Sequence, residues 1–225
     1  MKKEINTTVL QSAFEDLGDN HQSANIDTPL REDAFDRSDD DKIDDIADKF
    51  AEIMETLGLD LNDDSLKGTP YRVAKMFVQE IFYGLDPANK PNMSLFDNKY
   101  QYDKFIIEKD ITVKSTCEHH FLPIIGKAHV GYISRGKVIG LSKINRIVDY
   151  YARRPQVQER LTRQILEELK ETLNTDDVIV VVDAKHFCVT TRGIQDDESS
   201  TITLDYSGKF SDKKTRMEFL GLVNQ

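Results

Sequence analysis

The sequence predicts an α+β fold, in which an antiparallel sheet packs against helices. Two observations lead to this class. Strand-like segments follow one another, and a hairpin turn at Arg135-Gly136 joins two of them directly. Amphipathic helical segments stand apart from these strands instead of alternating with each one, which distinguishes α+β domains from parallel α/β sheets.

Two helices are expected ahead of the sheet. From Ile43 onwards, apolar residues recur at three- and four-residue spacing, and Gly58 then supplies a stop signal. The next helix has Thr69 as its candidate N-cap and Pro70 at its first position, and Gly84 ends the segment.

The strand segments are rich in β-branched residues and are bounded by turn signals. They are expected at residues 105–113, 127–134, 137–141, 177–183, 186–191 and 200–206. Three further helices are expected. Ser142 can cap a short helix that stops before Pro155, Pro155 itself opens a long amphipathic helix, and a closing helix is expected over 213–222.

The negative charge is concentrated at the N-terminus. The chain of 225 residues has a net charge of -10, and residues 1–45 alone carry 13 acidic and 5 basic side chains. Residues 1–40 are therefore predicted to be an acidic, disordered tail, with a docking or regulatory arm as the alternative, and residues 41–225 to be the folded domain.

The same composition excludes several classes of protein. The near-balanced charge of the folded part does not suggest a nucleic-acid-binding face. No apolar run in the chain approaches the roughly 20 residues of a membrane helix. The N-terminus has no apolar segment of a secretory signal, and two cysteines cannot build a disulfide scaffold. We therefore expect a cytoplasmic protein that does not act on membranes.

The cysteines and histidines are clustered. Both cysteines and four of the five histidines lie between residues 117 and 188. Cys117 and His120 form a Cys-x-x-His pair, and Cys188 can add a third ligand from another strand, a set that suits Zn²⁺. Three ligands leave one tetrahedral position for water, which the metal makes nucleophilic near neutral pH. The alternative is that both cysteines are ordinary buried residues.

Two more histidines lie next to this group. His119 and His186 are not needed as ligands, and imidazole can donate or accept a proton near neutral pH. They suit a reaction with several proton transfers. A satisfied core histidine is the alternative for His186, and His129, in the middle of a strand, is expected to be structural.

Cations and one amide–carboxylate pair complete the candidate site. Ser142 opens a helix whose N-terminus, with two basic side chains, can hold an anion or phosphate. Gln158 and Glu159 can match a donor-rich heterocycle edge such as that of guanine. The candidate cations are Lys143, Arg146 and Arg192, and also Arg72 and Lys75, which point away from the apolar face of their helix.

Three long motifs resemble those of the GTP cyclohydrolase I family. STCEHHFLP at 115–123 is similar to the family's zinc signature. GLSKINR at 140–146, followed by RPQVQERLT at 154–162, resembles its second signature, and TPYRVAKM at 69–76 resembles its N-terminal helix motif. The resemblance runs in unbroken order over about residues 43–223 and leaves the acidic tail outside.

The resemblance implies a fold, an assembly and a reaction. The fold is the tunnelling fold, an antiparallel sheet with helices on one side, and subunits join through their sheets into a toroidal homodecamer with active sites between subunits. The reaction converts GTP and water to 7,8-dihydroneopterin triphosphate and formate. It is the first step of folate and pterin biosynthesis, and the expected cofactor is Zn²⁺.

The resemblance also assigns roles to residues. Cys117, His120 and Cys188 match the zinc ligands, and His119 and His186 match the catalytic histidines. The guanine anchor is matched by Glu159, helped by Gln158. The ribose and triphosphate contacts are matched by Ser142, Lys143, Arg146 and Arg192, and Arg72 and Lys75 match cations that approach from a neighbouring subunit.

Competing functions make different predictions. A zinc nucleobase deaminase needs a His-x-Glu and a Pro-Cys-x-x-Cys ligand pair, and the sequence has neither. 6-Pyruvoyltetrahydropterin synthase, also of the tunnelling fold, uses three histidine ligands. A zinc-stapled binding module with an acidic tail would need a fourth ligand to close its site.

Overall fold

The structure is a computed structural model that describes residues 26–224. Its first helix, α1, spans Asp39–Thr56, and the Ser38 hydroxyl caps it by accepting from the amide of Asp41. Asp39, Asp40 and Asp41 form the first turn of α1, where the helix dipole favours negative charge, so the last two residues of the predicted tail belong to this helix. Gly58 follows the helix at φ 86°, so the predicted stop is confirmed.

The second helix is shorter and more irregular than predicted. α2 spans Thr69–Met76, and its N-cap is Gly68 rather than Thr69. The chain continues as a π-helix at Phe77–Ile81 and then as a 3₁₀ turn at Tyr83–Leu85. The predicted end at Gly84 is therefore reached through two changes of helical geometry.

Five strands form the main sheet, in the order β5-β2-β3-β6-β7. All neighbours are antiparallel except β5, which runs parallel to β2. A separate pair, β1 with β4, is antiparallel too. The strands are β1 Leu95–Asp97, β2 Phe105–Cys117, β3 Pro123–Ile133, β4 Lys137–Ile139, β5 Pro155–Gln156, β6 Val178–His186 and β7 Thr201–Tyr206.

The main core lies between one sheet face and two helices. These are α3, Leu141–Ala152, and α4, Gln158–Leu173. They bury Ile144, Ile147, Leu161 and Ile165 against strand residues such as Val113, Val130 and Val180. This confirms the α+β class, and it places α3 and α4 together on one face of the sheet.

The C-terminal helix covers part of the opposite face. This helix spans Lys213–Val223. Its Phe219 packs with Phe210 against Ile133 and Ile179. β6 is apolar on both sides, which explains why one end of the second face is also covered. The resemblance implied helices on one side of the sheet only. The C-terminal helix departs from that expectation, because it packs on the other side.

Three further local predictions are wrong. Ser142 does not cap α3, since the N-cap is Gly140 and the cap makes no side-chain bond. Pro155 opens no helix but lies in edge strand β5, where a residue without an N–H is tolerated, and α4 begins at Gln158. Residues 186–191 are not a strand: β6 ends at His186, and the helical turn α5, Phe187–Thr190, follows.

The start of the described chain contacts the domain. Gln164 on α4 donates through Nε2 to the carbonyl of Ile26, at 2.7 Å. Residues 1–25 of the predicted tail lie outside the described residues, so the division into tail and domain stays a prediction. Over residues 26–224, none of the helices combines the length and the apolar character needed to cross a membrane.

Candidate metal centre and active site

The predicted metal ligands converge at one end of the sheet. Cys117 is the last residue of β2, His120 lies in the turn that follows, and Cys188 lies in α5 just beyond β6. β3 separates the two strands and pairs with both, so their ends meet. The ligand atoms of the three residues all lie within 4.8 Å of one another.

A tight turn holds Cys117 and His120 together. The amide of Cys117 donates to the carbonyl of Leu122 at 2.8 Å, and the amide of Phe121 donates to the carbonyl of Cys117 at 2.9 Å. Phe121 has φ 55°, in the left-handed region. These bonds reverse the chain direction directly after β2. The thiol of Cys117 and the imidazole of His120 therefore face the same point.

The two thiols differ in acidity. A hydrogen bond with His186, aided by the backbone amides of His119 and His120, lowers the pKa of Cys117 to about 6 in spite of its burial. Burial and the neighbouring Cys117 raise the pKa of Cys188. The lowered pKa favours the thiolate form of Cys117, and a bound cation would favour the same form of Cys188.

The donor set can hold a metal ion. Two sulfurs and one imidazole suit a borderline-soft divalent cation such as Zn²⁺ better than they suit Mg²⁺ or Ca²⁺. Among the described residues the group has three members, so a tetrahedral ion would keep one position for water or substrate. Catalytic zinc sites have this pattern, whereas structural ones are closed by a fourth protein ligand.

His186 is held next to the group by a buried amide. Its Nε2 lies 2.7 Å from Oε1 of Gln158. Gln158 is 1% exposed, and its Nε2 donates to the carbonyls of Val182 and Thr201, at 3.0 and 2.8 Å. Because the amide nitrogen is committed to these carbonyls, the oxygen faces His186, whose Nε2 must carry the proton.

His119 and Arg192 border the group from the solvent side. His119 is exposed, with Nδ1 3.8 Å from the Cys117 sulfur. Arg192 Nη1 lies 2.5 Å from His120 Nε2, and a guanidinium can only donate, so this nitrogen carries a lone pair. Both predicted residues are therefore at the candidate centre.

The remaining predicted substrate contacts lie on nearby or separate elements. Glu159 is exposed on the first turn of α4, directly after Gln158. On the first turns of α3, Ser142 and Arg146 are exposed and Lys143 is half-buried. Arg72 and Lys75 are exposed on α2, where Arg72 contacts Ser65 and Thr69.

One ion pair at the site was missed by the sequence analysis. Arg160 on α4 pairs with Glu118, which lies between the predicted ligands Cys117 and His120. Their side chains are 10% and 17% exposed. The two residues are 42 positions apart, so no local spacing indicates the pair.

Fold and site together define an α+β protein in which three converging donors, with histidines beside them, could hold a metal ion. The family model described as GTP cyclohydrolase I matches residues 46–224. Curated proteins named GTP cyclohydrolase 1 are similar over most of the chain. The one from Flavobacterium johnsoniae is 61% identical over 210 residues, which is 93% of this chain and 94% of the relative.

Further relatives agree with this match. A GTP cyclohydrolase 1 from Aeromonas salmonicida is 58% identical, covering 75% of this chain and 78% of its own, and one from Salmonella arizonae is 52% identical, covering 88% and 90%. The crystal structure of the archaeosine synthase QueF-Like in the apo form aligns with 47% of this chain and 94% of its own, at 23% identity and a TM-score of 0.40. The chain belongs to the GTP cyclohydrolase I family.

Proposed function

We propose that this protein converts GTP and water to 7,8-dihydroneopterin triphosphate and formate, with Zn²⁺ at Cys117, His120 and Cys188. The observation that carries the proposal is the convergence of these three donors within 4.8 Å, beside a histidine fixed by a buried amide. Membership of the GTP cyclohydrolase I family supports the substrate.

Zinc and His186 have complementary tasks. When bound, Zn²⁺ supplies a water acidified enough to be nucleophilic at neutral pH. C8 of guanine is a poor electrophile until N7 is protonated, and we assign that proton to His186. The acid in this step would be the imidazolium form of His186. Gln158 Oε1 accepts from Nε2, so His186 would transfer its other proton, the one on Nδ1, and be left as the neutral tautomer with its proton on Nε2.

Ring opening leaves a sugar that must open, rearrange and close onto the freed amine. His119, exposed beside Cys117, is our candidate for the proton transfers at the ribose. Glu159 is the candidate guanine anchor, because a carboxylate accepts from the ring N–H and the exocyclic amine together. We assign the triphosphate to the cations Lys143, Arg146 and Arg192, which would fix the ring over the metal.

Assembly completes the proposed site. We propose a toroidal homodecamer of tunnelling-fold subunits, in which Arg72 and Lys75 reach the triphosphate of a neighbouring subunit. Both side chains are exposed on α2. We further propose that the enzyme works in the cytoplasm and that its product enters folate or pterin biosynthesis.

The direct test is turnover of GTP. The Zn²⁺-loaded protein is expected to release formate and to form a product that becomes fluorescent on oxidation, as a pterin does. Cys188→Ser is expected to lose both metal and turnover, since two donors remain. One zinc per chain without formate release would instead favour a zinc-stapled binding module.

The division of labour between the histidines needs a separate test. His186→Ala is expected to slow formate release from GTP. His119→Ala is expected to slow conversion of the ring-opened intermediate, supplied as substrate, more than formate release. If His186→Ala released formate at the wild-type rate, the assignment of the N7 proton would be wrong.

A further inference from the structure

The first turn of α4 aims one more side chain at the candidate centre, that of Arg160. We propose that Arg160 is a positioning residue, which holds the turn at residues 117–120 in ligand geometry through Glu118 and thereby sets the affinity for the metal. The inference rests on the metal site proposed above.

Arg160 connects two chain segments through one planar group. Its Nη2 pairs with the carboxylate of Glu118 and donates to the carbonyl of Pro155 at 3.1 Å. Its Nε donates to Oε1 of Gln156 at 3.0 Å. A guanidinium can satisfy several acceptors in a fixed fork, whereas a lysine ammonium is a single point charge.

The segment that Arg160 binds is itself rigid. Gln156 is fully buried, and its Nε2 donates to the carbonyl of Tyr151 at 2.9 Å. β5 runs parallel to the end of β2, with Gln156 opposite Cys117. The amide of Glu118 donates to the carbonyl of Gln156 at 3.0 Å. Main-chain bonds to β5 thus fix the backbone of the turn at residues 117–120, and Arg160 fixes the side chain of Glu118.

The position of Glu118 makes this pairing relevant to the metal. Glu118 directly follows Cys117 and lies two residues before His120. Movement of its side chain and backbone would reorient both donors, while Cys188 stays held by β6 and α5. Partners of this kind, which orient ligands without touching the metal, typically affect metal affinity about 10- to 100-fold when removed.

The test measures Zn²⁺ affinity by competition with a chromogenic chelator, using the full chain. Arg160→Met keeps the length of the side chain and removes its charge and donors, and it is expected to weaken zinc binding about 10- to 100-fold. Arg163→Met is the matched control. Arg163 lies on the same helix and pairs with Glu167 and Asp205, and it should leave zinc affinity within about twofold of wild type because these exposed pairs are worth little.

Two further variants separate positioning from folding. Glu118→Gln keeps the shape of the side chain and removes its charge, and we expect it to weaken zinc binding, as Arg160→Met does. If Arg160→Met does not fold, Glu118→Gln still tests whether the ion pair sets the affinity for zinc. Arg160→Lys is expected to fall between wild type and Arg160→Met. The visible spectrum of the Co²⁺-loaded protein is expected to change in Arg160→Met and to stay unchanged in Arg163→Met, because it reports ligand geometry.

Each outcome bears on one proposal or the other. Suppose that the wild-type chain binds one zinc and that Arg160→Met and Glu118→Gln bind zinc as tightly as wild type does. That result would overturn the role of Arg160 and leave the proposed function intact. So would an equal loss in Arg163→Met, which would show general destabilisation. A wild-type chain that binds no zinc would overturn the proposed function and this inference with it.

Discussion

Gln158 has hydrogen-bond partners in the protein that its sequence position does not indicate. Next to Glu159, it was interpreted as a helper in binding guanine, and that role stays a prediction. The structure gives its amide four protein partners around a 1% exposed side chain: two carbonyls and the Thr203 hydroxyl on the nitrogen, and His186 on the oxygen. Because its hydrogen-bonding groups are occupied in this way, we expect Gln158 to act on the reaction through the histidine that it orients.

Replacing this amide should therefore affect catalysis more than binding. Gln158→Met fills the same space but offers His186 no acceptor, and we expect kcat to fall by about 10- to 100-fold, part of what general acid–base catalysis contributes. KM for GTP is expected to change little. Steady-state kinetics with Zn²⁺-loaded protein check both values.

The control for this variant is another buried polar residue. Thr175 is 4% exposed, and its hydroxyl donates to the carbonyl of Ile133 at 3.3 Å, remote from His186 in the sheet. Thr175→Val should lower stability and leave kcat unchanged. An equal loss of kcat in both variants would mean that Gln158 acts through stability and not through His186.

Gly84 occupies a position where the backbone of another element approaches closely. A Cβ built there would lie 2.0 Å from the carbonyl oxygen of Tyr150 and 2.8 Å from that of Arg153. The amide of Gly84 also donates to the Arg153 carbonyl at 3.0 Å. The residue thus joins the irregular segment after α2 to the end of α3, and no side chain fits in the contact.

We expect Gly84→Ala to lower the free energy of unfolding by about 1–3 kcal/mol, as overpacking typically does. Chemical denaturation monitored by circular dichroism measures the change. Gly221→Ala is the comparison, because nothing lies within 4 Å of a Cβ there and alanine favours a helix. Equal stability of Gly84→Ala and wild type would contradict the close approach.

At the scale of elements, two tyrosines connect the irregular segment, α3 and α4. The Tyr83 hydroxyl donates to the carboxylate of Asp149 on α3, and burial together with this bond raises the pKa of Tyr83 to about 12. Tyr151 on α3 donates to Glu168 on α4 at 2.7 Å, and burial and this bond raise its pKa too. Both contacts require the neutral phenol.

These shifts predict a loss of stability at alkaline pH. A tyrosine in the unfolded chain ionises near pH 10, and one with a raised pKa binds its proton more tightly when folded. The stabilisation is therefore complete below about pH 10 and is lost as the pH rises towards about 12, the value for folded Tyr83.

The double variant Tyr83→Phe, Tyr151→Phe should lose less stability than wild type between pH 9 and pH 12, as measured by denaturation at each pH. Tyr100→Phe is the control, since Tyr100 is 96% exposed and should leave the profile unchanged. If the double variant followed the wild-type profile, the two phenols would not be the groups responsible.

Regular elements were predictable where local patterns decide them. The apolar run of β6 and the apolar stripe along α4 can be recognised without knowing which elements lie beside them. The predicted bounds of both elements agree with the structure to within a few residues. The chain after His186 was not predictable in this way. His186 pairs with Ile124, near the start of β3, so its strand partner ends there and the chain turns into α5.

The site followed the same rule. Cys117 and His120 share one turn, so their spacing alone indicates a pair of ligands. That Cys188 joins them depends on how β2 and β6 align across β3, and the sequence could offer it only as a candidate. The pairing of Arg160 with Glu118, and of Gln158 with His186, depends on where α4 crosses the sheet end. No local pattern carries that information.

At the scale of the whole molecule, residues 26–224 leave one face of the sheet partly uncovered. Ile125, Ile202 and Leu204 are 43%, 66% and 40% exposed, and they lie on the face opposite α4. β7 is also the edge of the sheet among the described strands. An apolar face that ends in an unpaired strand edge is a ready surface for a second copy.

We therefore expect light scattering to give a mass several times the 25.8 kDa of one chain. Ile202→Asp should reduce that mass, because it places a charge on the uncovered face. Tyr100→Asp makes a similar change at an exposed side chain away from the sheet and should leave the mass unchanged. A wild-type mass of one chain would contradict the proposed assembly.

Mixing two inactive variants tests whether the assembly completes the active site. Cys188→Ser removes a metal donor from one subunit, and Arg72→Ala removes a cation proposed to come from its neighbour, so each variant alone should lose most activity. In randomly mixed oligomers, a site built from the Cys188 of one variant and the Arg72 of the other is intact, and activity should recover to about a quarter of wild type. If both residues served the same subunit's site, no arrangement of the mixed chains would be intact. Activity of the co-refolded mixture that stayed at the level of the separate variants would place Arg72 outside the neighbour's site.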